Sequence, residues 1–496
     1  MILDGAAVHL MENHDAAYYC WRDAGVQDRI LVHVDAHNDM WWIPDIRSIT
    51  IANYICPAFQ QGMLRAIYWV VPDASFHTRA NRRALARHLE RIVRKYPGGK
   101  ILERPIRGSL NGKPLVICAL GDLPRFGEPV LLDIDVDYLV LPRVTYGAGD
   151  LPPELPWRWP EELIEGLARR GVRSDLLTIA YSVEGGYTPI EWKYLGDELA
   201  LRLRQGAAPQ AMLELRQGAR EEAAGDFQSA GRRYAEAARL MPHSAAGWWR
   251  LAQLYARSAR IEEARAYYRR ALEADPSYRS AFATQGILWQ WKGMLGEAEA
   301  GYRRTLALDP SNVWALVGLA QIALARKQWE EAYHWTGRAL AVDAESVDAL
   351  RARARLLEHQ RRWQEAAAAY EQSMKLALLG RRPLGETIVT GEGRRLLDDA
   401  HAHTYARLGR LYGKLGQRAR AINACRIAAA AGYDRVWLRL RLVKLCLAEK
   451  RWGPAGGHFW RALTLAPGEA RRLARKLRRR AWKAISSSAR KALRRA

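Results

Sequence analysis

Pro242, Pro276, Pro310 and Ala344 stand 34 residues apart, and the positions between them hold matching residue types. One unit carries Trp248, Leu251, Ala252, Tyr255, Ala264, Tyr268 and Ala271; the next carries Phe282, Gln285, Gly286, Trp289, Ala298, Tyr302 and Thr305. A period of this length confines each unit to a short supersecondary element that cannot bury its apolar face alone, so successive units must stack. The register runs through five units from about Ala211 to Leu378. It stops at a Gly-rich stretch and resumes with Leu408, Gly409, Tyr412 and Ala421. A seventh unit carries Leu442, Ala455, Ala462 and Pro467.

This pattern resembles the tetratricopeptide repeat, a pair of antiparallel helices in which small residues such as Ala252 and Ala264 allow close approach. Stacked pairs form a solenoid whose concave face is expected to take a peptide or protein partner. The net charge is +24, and twelve Lys or Arg with no acid fall between Arg471 and Ala496. That tail reads either as a solvating cap or as a basic segment for an acidic partner or an anionic surface. No nucleic-acid-binding fold accompanies it, which argues against nucleic acid. Five scattered cysteines without a CxxC pair fit a reducing compartment. The amino terminus lacks the pattern of a secretory signal, and no run is apolar and long enough to span a bilayer. A cytoplasmic location is expected.

The first half differs. Apolar runs at Ala6–Met11, Ile30–Val34, Ala66–Val71, Leu115–Ala119, Val130–Ile134 and Leu176–Tyr181 read as strands, with helices over Arg79–Lys95 and Pro160–Arg170. Such alternation predicts an α/β fold with a mainly parallel sheet. Two of these strands end in acid: Asp35-Ala-His37-Asn-Asp39 and Asp133-Ile-Asp135-Val-Asp137. Open α/β sheets place ligands at the carboxyl ends of their strands. Carboxylates gathered there repel one another unless a cation lies between them. Oxygen ligands with some imidazole suit manganese, magnesium or iron, and not a thiolate-rich structural zinc.

Together with His14, which lies 21 residues before Asp35, these motifs resemble the arginase/deacetylase (ureohydrolase) superfamily. The resemblance implies a three-layer arginase-like domain holding two Mn2+ ions. One would be bound by His14, Asp35, Asp39 and Asp133, the other by Asp35, His37, Asp133 and Asp135, with Asp137 a supporting carboxylate. Deacetylase relatives carry a tandem His pair, which is absent from this sequence. In arginases a water activated by the metal pair attacks the guanidinium carbon of arginine, giving ornithine and urea. Ile67-Tyr-Trp-Val-Val-Pro72 and Ser182-Val-Glu-Gly-Gly-Tyr-Thr-Pro189 are similar to the peptide-arginase branch, which acts on arginine within peptides.

Where arginases place a guanidinium-gripping Glu, strict strand alignment puts Tyr181 or Ser182. Glu184 is expected in that role as a buried carboxylate, with Glu191 the other choice. Asn53 is a candidate substrate contact by spacing, and His77 a candidate proton shuttle.

The expected organisation is an arginase-like metallohydrolase domain over 1–205, five repeats over 211–380, a Gly-rich insertion over 381–400, two further repeats over 401–468 and a basic tail over 469–496. The function read from it is a manganese-dependent peptide arginase whose repeats recruit the peptide, so that deleting 211–496 leaves both metals bound. The alternatives are a metal-dependent deacylase or amidohydrolase of the same fold, and a non-catalytic repeat adaptor.

Overall fold

The computed structural model describes residues 3–43, 49–103, 107–144, 153–184, 187–279, 290, 293–378, 399–430 and 433–466. Most of the Gly-rich insertion and the whole basic tail lie outside the described residues, as do the third repeat's Phe282, Gln285, Gly286 and Trp289.

The first half builds a mixed eight-stranded sheet. Its strands are β1 (Leu3–Met11), β2 (Arg29–Val34), β3 (Leu64–Val70), β4 (Lys100–Glu103), β5 (Arg107–Leu110), β6 (Lys113–Cys118), β7 (Val130–Asp135) and β8 (Ser174–Ala180), in the order β1-β8-β7-β2-β3-β6-β5-β4. Six are parallel neighbours, and they coincide with the six strands expected from sequence. The unexpected pair, β4 and β5, makes the far edge antiparallel. Asn111 and Gly112, with φ of 49° and 79°, form the two-residue turn that returns β5 onto β6. Asn-Gly suits such a turn because both central residues need positive φ.

Helices cover both faces of the sheet. Leu31, Ile67, Trp69 and Leu131 point into one layer, where Tyr18 and Trp21 of α1 (Ala16–Asp23), α2 (Ile55–Gln60), and Leu89 and Val93 of α4 (Arg79–Val93) meet them. A short helix, α3 (Ala74–His77), precedes α4. Val32, Val34, Leu132, Ile134 and Leu177 point the other way, beyond α5 (Asp137–Val140), toward α6 (Pro160–Arg169) and α7 (Tyr194–Gln205). All of β7 is buried, as a parallel strand covered on both sides must be.

This second apolar layer does not end at residue 205. It continues into Met212, Leu215 and Ala219 of α8 (Gln210–Ala223), Tyr234 and Ala237 of α9 (Phe227–Leu240), and Leu251 and Leu254 of α10 (Ala245–Arg257). Arg216 of α8 reaches Glu198 of α7 at 2.7 Å in a buried ion pair, and the Arg250 guanidinium lies over the Trp192 ring. The first repeats therefore share a core with the α/β layers. One compact unit reaches to Ile322 and a second begins at Ala323.

Helix pairing follows the 34-residue register: α8 with α9, α10 with α11 (Ile261–Ala274), Val347–His359 with Trp363–Leu378, Asp399–Lys414 with Arg418–Ala430, and Val436–Ala448 with Trp452–Leu465.

Candidate metal centre

The chain leaves β2 toward β3 on one side and returns to β7 on the other, so the crevice beyond β2 and β7 is a topological switch point. Asp35 and Asp39 follow β2, Asp133 and Asp135 close β7, His14 follows β1, and Ser182 follows β8. Asp39 (φ 48°) and Ser182 (φ 54°) hold left-handed backbone, a strained conformation that persists where surroundings fix it and that clusters at functional sites.

His14 is the hub. Its Nε2 lies 2.9 Å from Asp133 Oδ2, and its Nδ1 lies 3.3, 3.3 and 3.1 Å from Oδ2 of Asp35, Asp39 and Asp135. All five side chains are buried. Burial alone would push the His14 imidazole down, but the Asp133 charge and the contacts with Asp133, Asp135 and Asp35 outweigh it and hold it well above its usual range. Burial and the charge of Asp35 push the Asp39 and Asp135 carboxyls up. Asp133 moves the other way: burial is overcome by His14 and His33, which hold it low.

Sequence reasoning passed over His33, although it precedes Asp35 by two and so shares its face of the strand. Fully buried, it sets Nδ1 2.9 Å from Asp133 Oδ2 and Nε2 3.2 Å from Asp35 Oδ2. Tyr54 and Thr178 went unmarked as well; both hydroxyls donate to Asp133, Tyr54 at 2.6 Å. Ser182 donates to Asp135. The Tyr187 ring meets His37 edge-on at 4.5 Å, and burial followed by the Asp39 charge pushes its phenol up to about 12.

His37 lies apart from the hub. Its Nδ1 is 2.6 Å from Asp137 Oδ2 and 3.7 Å from Asp35 Oδ1. Asp137 also accepts the Ala36 N–H at 3.2 Å. Ligand atoms cluster within 4.8 Å in three groups: His14, His33 and Asp133; His14, Asp35 and Asp39; and Asp35, His37 and Asp137. His37 is thus grouped with Asp137, and not with Asp133 and Asp135.

These residues fit a cation. His14 Nδ1 and Nε2, His33 Nε2 and Asp35 Oδ2 are buried without a hydrogen-bond partner, although opposite groups lie close by. Unsatisfied buried polar atoms of this kind are costly unless something coordinates them.

Four further residues expected at the site, Glu184, Glu191, Asn53 and His77, have other surroundings. Glu184 is exposed and accepts from Asn13 Nδ2 at 3.1 Å. The Val183 and Glu184 N–H groups both bind Glu12 Oε1, at 3.1 and 2.9 Å, and this fastening leaves the Glu184 side chain outside the core. Glu184 is therefore not the buried carboxylate that the guanidinium role required. Glu191, the other choice, lies on a turn whose carbonyl faces Arg250, at 3.4 Å. Asn53 is buried, yet its Oδ1 closes a turn by accepting the Thr50 N–H at 2.9 Å; its neighbour Tyr54 is the residue that reaches the site. His77 ends the four-residue α3 and is exposed, which leaves it outside the carboxylate cluster.

Residues 221–284, 292–356, 337–376 and 402–428 match tetratricopeptide-repeat families. No curated protein sequence matches the chain. Among solved structures, the Cut9–Hcn1 hetero-tetramer of the APC/C is similar at 16% identity over 58% of this chain, with a TM-score of 0.33. That match spans 51% of the Cut9–Hcn1 chain. PilF of Pseudomonas aeruginosa is similar at 20% identity over 47% of this chain and 97% of its own, with a TM-score of 0.33. YrrB, described as a repeat protein with an unusual peptide-binding site, gives 19% identity over 44% and 97%, with a TM-score of 0.25. From residue 221 onward, the matched segments of this chain are tetratricopeptide repeats.

Proposed function

We propose that the chain is a manganese-dependent hydrolase acting on peptidyl-arginine, with its repeats holding the peptide. The observation that carries the metal centre is the convergence of Asp35, Asp39, Asp133 and Asp135 on the buried His14. His14, Asp35, Asp39 and Asp133 would hold one ion; the resemblance assigns the second to Asp35, His37, Asp133 and Asp135, although His37 is grouped here with Asp35 and Asp137. His33, beside both Asp35 and Asp133, is a further ligand candidate. Two divalent ions there would supply Lewis-acid activation of water at neutral pH.

The protein's own groups hold the ligands in place. Tyr54 and Thr178 fix Asp133, Ser182 fixes Asp135, and Asp137 orients His37 through Nδ1, which would present Nε2 as the ligand atom. In the overall reaction water adds to the guanidinium carbon, and the bond from that carbon to the side-chain nitrogen breaks. Ornithine leaves with that nitrogen and urea with the rest.

Arginine as substrate rests on the family resemblance. Glu184 is exposed, so on this reading the guanidinium is gripped by a group other than a buried Glu184.

Elemental mass spectrometry on full-length protein with Asp133→Ala alongside, followed by a urea-release assay on arginine peptides, tests the proposal. About two manganese ions per chain, lost in the variant, together with urea release, are expected. One zinc and turnover of an acyl-lysine peptide would transfer the reading to a deacylase. The repeats themselves favour a second reading, a non-catalytic adaptor. Absence of bound metal after manganese is offered, with partner binding intact in Asp133→Ala, would establish that one.

A further inference from the structure

Helix α4 is electrostatically odd. Its first turn carries Arg79 and Arg82 and no acid, although a helix amino terminus favours negative charge. Arg79, Arg83, Arg87 and Arg91 then follow at four-residue intervals, a spacing that sets like charges side by side. The helix's one acid, Glu90, pairs with Arg94 at 2.5 Å. Among the described residues, Arg79, Arg83 and Arg87 are exposed and make no ion pair.

The row borders a groove of about 410 Å³. Arg79, Arg82, Arg83 and Arg87 line it together with the apolar Ala86, Leu89 and Ile101 and with Glu90, whose carboxylate is held by Arg94. Ile101 belongs to β4, which ends the sheet, so the outer edge of β4 pairs with no other strand among the described residues. Its neighbour Leu102 is 65% exposed on this edge. Gly108 on β5 lets α4 lie this close: a Cβ there would meet Val93 Cγ2 at 3.0 Å.

We propose that the groove between α4 and β4 docks an extended acidic peptide segment. Its carboxylates would lie along the arginine row, its backbone would pair with the open edge of β4, and alternate apolar side chains would enter toward Ile101. Charge complementarity selects the occupant. Among the described residues no aromatic ring lines the groove for bases to stack on, and Leu89 and Ile101 give nothing to a phosphate backbone, so an acidic peptide fits it better than nucleic acid. This site lies on the α/β unit and does not depend on the metal centre.

Fluorescence anisotropy with a labelled peptide alternating Glu and Leu, titrated with the full-length chain, tests the assignment. The Arg83→Glu/Arg87→Glu variant should weaken binding by about tenfold or more. A charge-matched control, Arg232→Glu/Arg269→Glu, should bind like the parent, and melting curves should show all three proteins folded. Replacing alternate residues of the probe with proline should also abolish binding, because β-edge pairing needs its N–H groups. Equal loss in the charge-matched control, retained binding in Arg83→Glu/Arg87→Glu, or tighter capture of duplex DNA through the same arginines would each overturn the proposal.

Discussion

Tyr54 reaches Asp133 from a loop that carries no motif. Hydroxyls that orient ligating carboxylates act on metal affinity without touching the ion. Tyr54→Phe is expected to keep the fold and weaken manganese binding by roughly 10-fold or more, read by metal titration; unchanged affinity would make the hydroxyl merely a packing feature. His88 offers a separate test. It is buried, sits 2.9 Å from Asn38 through Nε2, and is lowered to about 4 by burial and then by Arg91. A histidine depressed in the folded state is charged more readily when unfolded, so its contribution is complete above about pH 6.5 and is lost as pH falls toward 4. The largest loss is about 3 kcal/mol. Urea midpoints for His88→Gln should therefore fall less steeply between pH 7 and pH 4.5 than those of the parent. Parallel curves would exclude His88 as the source.

At the scale of elements, small residues decide how helices approach. A Cβ on Gly247 of α10 would come within 2.8 Å of the Ala238 backbone nitrogen on α9, which cannot rotate away. Gly247→Ala should cost roughly 1–3 kcal/mol, seen as a lower Tm. Gly457, mid-helix in Trp452–Leu465 and exposed, has nothing within 4 Å. There Gly457→Ala should stabilise by roughly 0.5–1 kcal/mol through helix propensity. If both substitutions behaved alike, close packing would not be the reason for Gly247. The edge hairpin belongs to this scale too. Asn111-Gly112 was a readable turn signal, but β4 and β5 are only four residues long each, too short for alternation to mark them.

For the whole molecule, the shared core changes the meaning of a truncation. Cutting at residue 205 would strip Met212, Leu215, Tyr234 and Leu251 from the layer that covers β2, β7 and β8, and would leave Glu198 without Arg216. The 1–205 fragment is therefore expected to be insoluble or to lack a cooperative melt, and a fragment ending after Arg326, close to the end of the first compact unit, to melt cooperatively. A soluble, cooperatively folded 1–205 fragment would show that the repeats only decorate the α/β layers.

What the sequence determined by itself was whatever repeats or alternates locally. The 34-residue spacing required stacked helix pairs, and the six apolar runs became six parallel strands. His14, Asp35, Asp39, Asp133 and Asp135 were legible because each strand delivers its polar residues at one end. Tertiary structure decided the rest. His33, Tyr54 and Thr178 reach Asp133 from three separate elements, and such convergence leaves no spacing to read. Glu184 turned outward because Glu12, distant in sequence, takes the N–H groups of its loop. The domain boundary expected near 205 proved continuous for a similar reason: apolar faces are marked in sequence, but which faces meet is settled only by packing.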